Sequence, residues 1–123
     1  MLTRQEFEQE VSRAIDELPS DILRNIANVA ITVDEWADED TLELAELDDP
    51  RQLLGFYHGV PLTQRLTGYG MVPPDKITLY RQPILSLCRN DQQARERIRT
   101  TLRHEIAHYF GIDDDRLVEL GRY

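Results

Sequence analysis

Two histidines and one glutamate stand close together near the end of the chain, in the segment HEIAH. His104 and His108 are four residues apart. Because an α-helix turns by roughly 100° per residue, this spacing places both imidazoles on one face, one above the other. Two imidazoles so placed can bind one tetrahedral zinc ion at about 2.0–2.1 Å. The spacing therefore predicts a zinc site carried by a helix.

Glu105 follows His104 directly and projects about a quarter turn away from it on a helix. From there its carboxylate can reach a water in the metal's open position without being a ligand itself. Zinc lowers the pKa of such a water to about 7, and a neighbouring carboxylate can then take its proton. We therefore predict that Glu105 is the catalytic base that serves a metal-activated water.

The segment continues as HEIAHYFGIDD, in which a glycine is followed by aspartates. Gly111 lets the chain leave the helix sharply, since glycine tolerates a left-handed backbone. The bend can bring Asp114 back to the metal, and a carboxylate is an acceptable zinc ligand at about 2.0–2.2 Å. The alternative role for Asp114 is the N-cap of a last short helix, RLVELGR. Asp113 and Asp115 stand beside it and can exchange roles with it.

A long helix over residues 91–110 is predicted to carry these groups, opened by the capping pair Asn90 and Gln93 and ended at Gly111. Its apolar residues lie on an arc centred about 160° from the histidine pair. The histidines are therefore not on the side that faces the core, and a cleft or another segment must cover them. The arc consists of Ile98, Leu102, Ile106, Tyr109 and Phe110.

The remaining elements are predicted from periodicity and breakers, and they suggest an α+β fold: a small sheet packed with helices. Thr3 and Glu6 form a capping box at the start of a first helix, which Pro19 stops. Part of ADEDTLELAELDD is helical in this interpretation. The other assignments are a turn at SDILRN, strands at residues 29–35, LLGFYHGVPL and KITLYR, the last ended by Pro83, and a short helical piece at PILSLC.

Size and composition fit one soluble domain over residues 1–123. The net charge of −9 repels phosphates and anionic headgroups, which argues against nucleic acid and membrane surfaces as partners. Cys88 is the single cysteine, so no internal disulfide forms, as in reducing compartments. The charged N-terminal segment lacks the apolar stretch of a signal peptide, so we expect a cytoplasmic protein.

The extended pattern HExxHxxGxxD resembles the metzincin branch of zinc metallopeptidases, with two departures. Asp114 stands where those enzymes usually have histidine, and no methionine follows His108 to form their methionine turn. A closer resemblance is to a family of small bacterial zincin-like metallopeptidases with a minimal zincin fold. It extends over nearly the whole chain, through the first helix ending in LP and the stretches NVAITV, GVPLTQR, YGMVPPDKITLYRQPI and TLRHEIAHYFGIDDDRL.

This resemblance implies a compact α+β fold, zinc ligands at His104, His108 and Asp114, and Glu105 as base. It implies a zinc metallopeptidase that hydrolyses peptide or protein substrates through the metal-activated water. The alternative is a small metal-binding interaction module with weak or no peptidase activity. The presence of Glu105 favours the enzyme, since a purely structural zinc site needs no unliganded carboxylate beside it.

For several other residues we favour a structural role over a catalytic or metal-binding one. His58 is predicted to be a surface histidine at a strand end. Tyr69 and Tyr80 are predicted to be a loop and a strand aromatic, although a tyrosine could stabilise an oxyanion. The acidic stretch at residues 34–49 is predicted to be a solvated face, with a preference for basic peptides as the alternative.

Overall fold

The computed structural model describes residues 1–59 and 75–112. Five α-helices and a three-stranded sheet lie within them, so the predicted α+β class is confirmed, and none of these helices is long and apolar enough to cross a membrane. The helices are α1 (Arg4–Asp16), α2 (Ser20–Asn25), α3 (Glu39–Leu44), α4 (Arg81–Ser86) and α5 (Asp91–Tyr109). The strands are β1 (Ala30–Asp34), β2 (Gly55–His58) and β3 (Lys76–Tyr80), with a 3-10 turn at Pro50–Gln52.

Both predicted capping signals are present. The Thr3 hydroxyl accepts from the Glu6 N–H at 3.2 Å, while the Glu6 carboxylate accepts from the Thr3 N–H at 3.0 Å. At the start of α5, the Asn90 side chain accepts from the Gln93 N–H at 2.9 Å. The Gln93 side chain reaches back to the N–H of Arg89 rather than to that of Asn90, at 2.8 Å. These bonds satisfy N–H groups that a helix start otherwise leaves without partners.

The predicted turn at SDILRN is wrong, because these residues form α2. Pro19 is its N-cap and provides no side-chain hydrogen bond. Near the end of the helix, the Asn25 side chain donates to the Asp21 carbonyl at 2.7 Å. The third strand ends at Tyr80, before the proline. Pro83 lies instead in the first turn of α4, where a missing N–H costs nothing. The ambiguous acidic stretch contains α3, with Asp38 as its N-cap.

The sheet has the order β1-β3-β2, with β1 parallel and β2 antiparallel to the central β3. Side chains of successive strand residues point to opposite faces. One face contributes Tyr57, Ile77 and Leu79 to the main core, together with apolar residues of α1 and α5. The other face contributes Phe56 and Tyr80 to a smaller cluster beneath α3. The sheet therefore separates α5 from the acidic α3.

Helix α5 approaches β2 closely at one glycine. A Cβ atom on Gly55 would lie 2.9 Å from Thr101 Cγ2, and 3.2 Å from both a Leu79 methyl carbon and the Thr78 carbonyl oxygen. Real Cβ atoms almost never come within 3.0 Å of a non-bonded heavy atom. The missing side chain of Gly55 therefore sets the distance between the edge strand and the helix that carries HEIAH.

We expect Gly55→Ala to lower the free energy of unfolding by about 1–3 kcal/mol, because the added methyl overpacks this contact. Thr101→Ser removes the nearest methyl and keeps the hydroxyl, so the double variant should recover part of the loss. Urea denaturation of the wild type, both single variants and the double variant measures the coupling. Strictly additive effects of the two substitutions would contradict the close contact.

Candidate metal centre

The last two turns of α5 bring three metal-binding side chains together. One ligand atom from each of His104, Glu105 and His108 lies within 4.8 Å of the others, so the group could hold a metal ion. The two imidazole rings lie 4.6 Å apart between centroids, at an interplanar angle of 70°. The sequence prediction that one helix face presents both rings together is therefore matched by the geometry.

The carboxylate of Glu105 contacts both imidazoles. Its Oε1 lies 3.2 Å from His108 Nδ1, at hydrogen-bond distance, and its Oε2 lies 3.9 Å from His104 Nε2. The Glu105 side chain is only 7% exposed, compared with 20% for His104 and 27% for His108. A carboxylate buried to this extent needs a charged or hydrogen-bonding partner. Imidazoles supply the partner here, and a cation held between them would serve the same purpose.

The burial of Glu105 comes from its position in a row along α5. Thr101, Glu105 and Tyr109 follow one another at four-residue spacing and are all buried. Thr101 meets β2 at Gly55, and the ring of Tyr109 lies edge-on to that of Tyr57, with centroids 5.8 Å apart. The helix therefore runs along β2, and Glu105 lies over the strand between these two contacts. Strand β2 therefore lies against the row that contains Glu105, on the flank of the histidine face.

Gly111 terminates helix α5, as predicted from the sequence. Gly111 has a left-handed backbone with φ +84°, and its N–H donates to the His108 carbonyl at 2.9 Å. The Ile112 N–H donates to the Ala107 carbonyl at 2.9 Å, which completes a Schellman motif. The Tyr109 hydroxyl donates to the Asn25 carbonyl at 3.0 Å and ties this last turn to the end of α2. Several independent bonds therefore fix the last turn of α5, which carries His108.

The predicted third ligand, Asp114, lies outside the described residues, as do its neighbours Asp113 and Asp115. The same holds for Tyr69 and for the last short helix predicted at RLVELGR. The described part of the chain ends at Ile112, directly after the bend at Gly111. The role of Asp114 therefore stays a prediction.

His58 and Tyr80 lie on the other face of the sheet, below α3. The His58 Nε2 is 3.4 Å from the Thr41 hydroxyl, and burial lowers the pKa of this histidine. Tyr80 is 2% exposed, and burial raises its pKa to about 12, so its phenol stays protonated. Their strand positions alternate with those of the residues that face α5. Both residues are therefore part of the packing beneath α3, and neither belongs to the histidine cluster.

Sequence reasoning missed the residues that position the cluster. The sequence places Gly55 inside a predicted strand without indicating a role for it, and nothing in the sequence marks Thr101 as a contact. The positions of Thr101 and Glu105 could have indicated a buried contact, since these two polar residues are four apart and border the apolar arc of α5. Such a border often marks the edge of a contact with a neighbouring element.

A comparison with protein-family models matches residues 26–122 to the zincin-like metallopeptidase family. The chain belongs to this family. The match includes every strand of the described sheet and the whole of α5, so the zincin-like fold expected from the sequence is confirmed. A search of curated proteins finds no match to this zincin-like chain. Membership of a metallopeptidase family agrees with the metal-binding character of His104, Glu105 and His108.

We expect His58 to titrate below the ordinary histidine pKa of 6.5, because burial disfavours its charged form and Lys76 opposite it on β3 adds repulsion. The lowered folded-state pKa makes protonation favour the unfolded chain, so this contribution to stability is lost as the pH falls below 6.5. Lys76→Gln should raise the pKa and Asp38→Asn should lower it further.

The measurement is an NMR titration of the imidazole Hε1 signals, with His58→Gln used to assign the resonance. A wild-type His58 that titrates at or above the ordinary value would contradict the burial argument.

Proposed function

We propose that the protein is a zinc-dependent peptidase in which His104, His108 and Asp114 hold the metal and Glu105 is the catalytic base. The observation that carries this proposal is the buried Glu105 carboxylate, which contacts two partly exposed imidazoles on one side of a helix. Membership of the zincin-like metallopeptidase family supports it. Imidazole nitrogens and a carboxylate are the donor types that zinc prefers, so this donor set fits the metal.

Zinc held by His104, His108 and Asp114 would supply a water of lowered pKa and would polarise a carbonyl oxygen. Glu105 takes the proton of the attacking water and later gives it to the leaving nitrogen. Thr101 and Tyr109 contact β2 on either side of Glu105 along the helix, which fixes this part of α5, so the carboxylate needs little reorganisation to accept the proton. The low exposure of the side chain limits competition from bulk water.

Strand β2 lies at one side of the described sheet, beside this centre, and its position suits an extended peptide. The Tyr80 N–H donates to the Leu54 carbonyl at 2.9 Å, so these two residues form a hydrogen-bonded pair. Because such pairs alternate along antiparallel strands, Gly55 directs its own N–H and carbonyl away from β3. Extended peptides commonly add to sheet edges through main-chain bonds of this kind. A peptide paired at Gly55 would lie next to the row that contains Glu105.

We expect the purified protein to bind about one zinc ion per chain, which elemental analysis after dialysis measures. His108→Ala and His104→Ala should each lose most of this zinc, because each removes one of a few ligands. His58→Gln is the matched control, since it removes the third histidine from the opposite face of the sheet and should leave the zinc content unchanged. Full zinc occupancy in His108→Ala would contradict the ligand assignment.

Glu105→Gln should keep the zinc and lower kcat for peptide cleavage by about 10²–10⁴-fold, the usual contribution of a general base. Glu43→Gln on α3 is the control for the loss of one negative charge, because Glu43 is exposed on the other face of the sheet. A peptide library supplies the substrate. Undiminished cleavage by Glu105→Gln would remove this residue from the mechanism. Zinc binding without any cleavage by the wild type would favour the second candidate, a metal-binding interaction module.

A further inference from the structure

Positive charge is concentrated on α4 and α5 although the chain as a whole is acidic. Residues 81–103 contain six arginines and two acidic residues, in a protein with a net charge of −9. Two of these arginines form ion pairs with carboxylates of α1 and of the residue that follows it: Arg95 lies 3.3 Å from Glu10, and Arg99 lies 2.7 Å from Glu17. Within residues 1–59 and 75–112, neither Arg89 nor Arg97 forms an ion pair.

These two arginines line the same cavity. It has a volume of about 490 Å³ and lies where the end of α4 meets the first turns of α5. Its polar lining also includes the side chains of Gln93 and Thr100, with the carboxylate of Glu96 as one acidic group. Two guanidinium groups and one carboxylate give the lining of the cavity a net positive charge. It is large enough for one side chain or a chain terminus, and its polar character suits a charged group.

The cavity and the histidine pair lie along one side of α5. At roughly 100° per residue, the five side chains involved fall within an arc of about 80°. Thr100 is one turn before His104. From Arg97 to His104 the helix rises about 10 Å, at roughly 1.5 Å per residue. The five residues are Gln93, Arg97, Thr100, His104 and His108.

A peptide that lies along this side would connect the two places. Residues of an extended chain are spaced by about 3.3 Å, so about three residues span the rise from His104 to Arg97. The edge strand β2 runs beside the same stretch of α5, since its Gly55 meets Thr101 and its Tyr57 meets Tyr109. A peptide paired with this edge would therefore extend from the histidine pair toward the cavity.

We propose that this cavity binds a carboxylate of the peptide substrate, about three residues from the cleaved bond, through Arg97 and Arg89. This inference rests on the proposed peptidase function. A guanidinium group binds a carboxylate through two parallel hydrogen bonds, which gives direction as well as attraction. The carboxylate belongs to an aspartate or glutamate side chain or to the C-terminus of the substrate. The carboxylate of Glu96, which lines the same cavity, repels the substrate carboxylate and weakens its binding.

The test uses zinc-loaded Glu105→Gln protein and fluorescent eight-residue peptides, so that binding is measured without cleavage. Each peptide has an amidated C-terminus and carries either glutamate or glutamine at one scanned position. A second set compares free and amidated C-termini without internal acids. We expect one position, or the free terminus, to improve the Kd about three- to tenfold, the range of a partly exposed charged hydrogen bond. This gain should shrink in about 0.5 M salt, which screens exposed charges.

Arg97→Gln and Arg89→Gln, each made in this background, should remove the preference for the carboxylate. Arg103→Gln is the matched control, because it removes the same charge from the same helix but on the side of α1, where Arg103 lowers the pKa of Glu17. It should leave the preference intact. For wild-type protein, the same substitution in the peptide should change KM for cleavage and leave kcat nearly constant.

Equal binding of glutamate and glutamine peptides at every position, together with equal binding of free and amidated termini, would overturn the inference. A preference that survives in both Arg97→Gln and Arg89→Gln would also overturn it. Cleavage without any carboxylate preference would support the peptidase function and contradict the proposed carboxylate site. A preference that depends on Arg97, in a protein that cleaves no peptide, would support the cavity as a peptide-binding site and contradict the peptidase function.

Discussion

The burial of one carboxylate is the constraint on which the arrangement around α5 depends. An ionised carboxylate loses several kcal/mol of hydration when it leaves water, and it remains ionised only where neighbouring groups replace that hydration. Glu105 is 5% exposed and lies between two imidazoles. A cation held by the two imidazoles would supply a full opposite charge, which two neutral rings do not. Under the proposed function, a bound metal would therefore stabilise the buried carboxylate.

This constraint explains several features that look unrelated in the sequence. Gly55 lets β2 come close enough to cover the carboxylate, and Thr101 fills the space that the glycine leaves. The Schellman motif at Gly111 stops the helix directly after the second histidine, and the Tyr109 hydroxyl fastens that turn to α2. Each of these contacts limits the movement of α5 along or away from the sheet. Under the proposed mechanism this matters, because a catalytic group displaced by about 1 Å loses much of its effect.

The parts of this arrangement that could be predicted from the sequence are those that depend on local spacing. His104, Glu105 and His108 follow helical periodicity, and the caps at Thr3, Asn90 and Gly111 depend on bonds within a few residues. Helix α2 was missed because its start has no side-chain cap and its six residues are too few to show a period. The role of Gly55 could not be predicted, since it depends on the register of β2 against β3 and on the distance to α5. Such contacts join residues far apart in the chain, and no local pattern encodes them.

The net charge of the whole chain is a poor guide to the charge that a substrate would meet. A charge of −9 suggests affinity for basic peptides, and the acidic stretch at residues 34–49 suggests where they would bind. That stretch contains α3, however, and α3 packs on the face of the sheet opposite to α5. Charges separated by more than a Debye length, about 8 Å at physiological salt, act only weakly on each other. Arg89 and Arg97 line the cavity at the first turns of α5, so the charge nearest to a group bound in that cavity favours an anion.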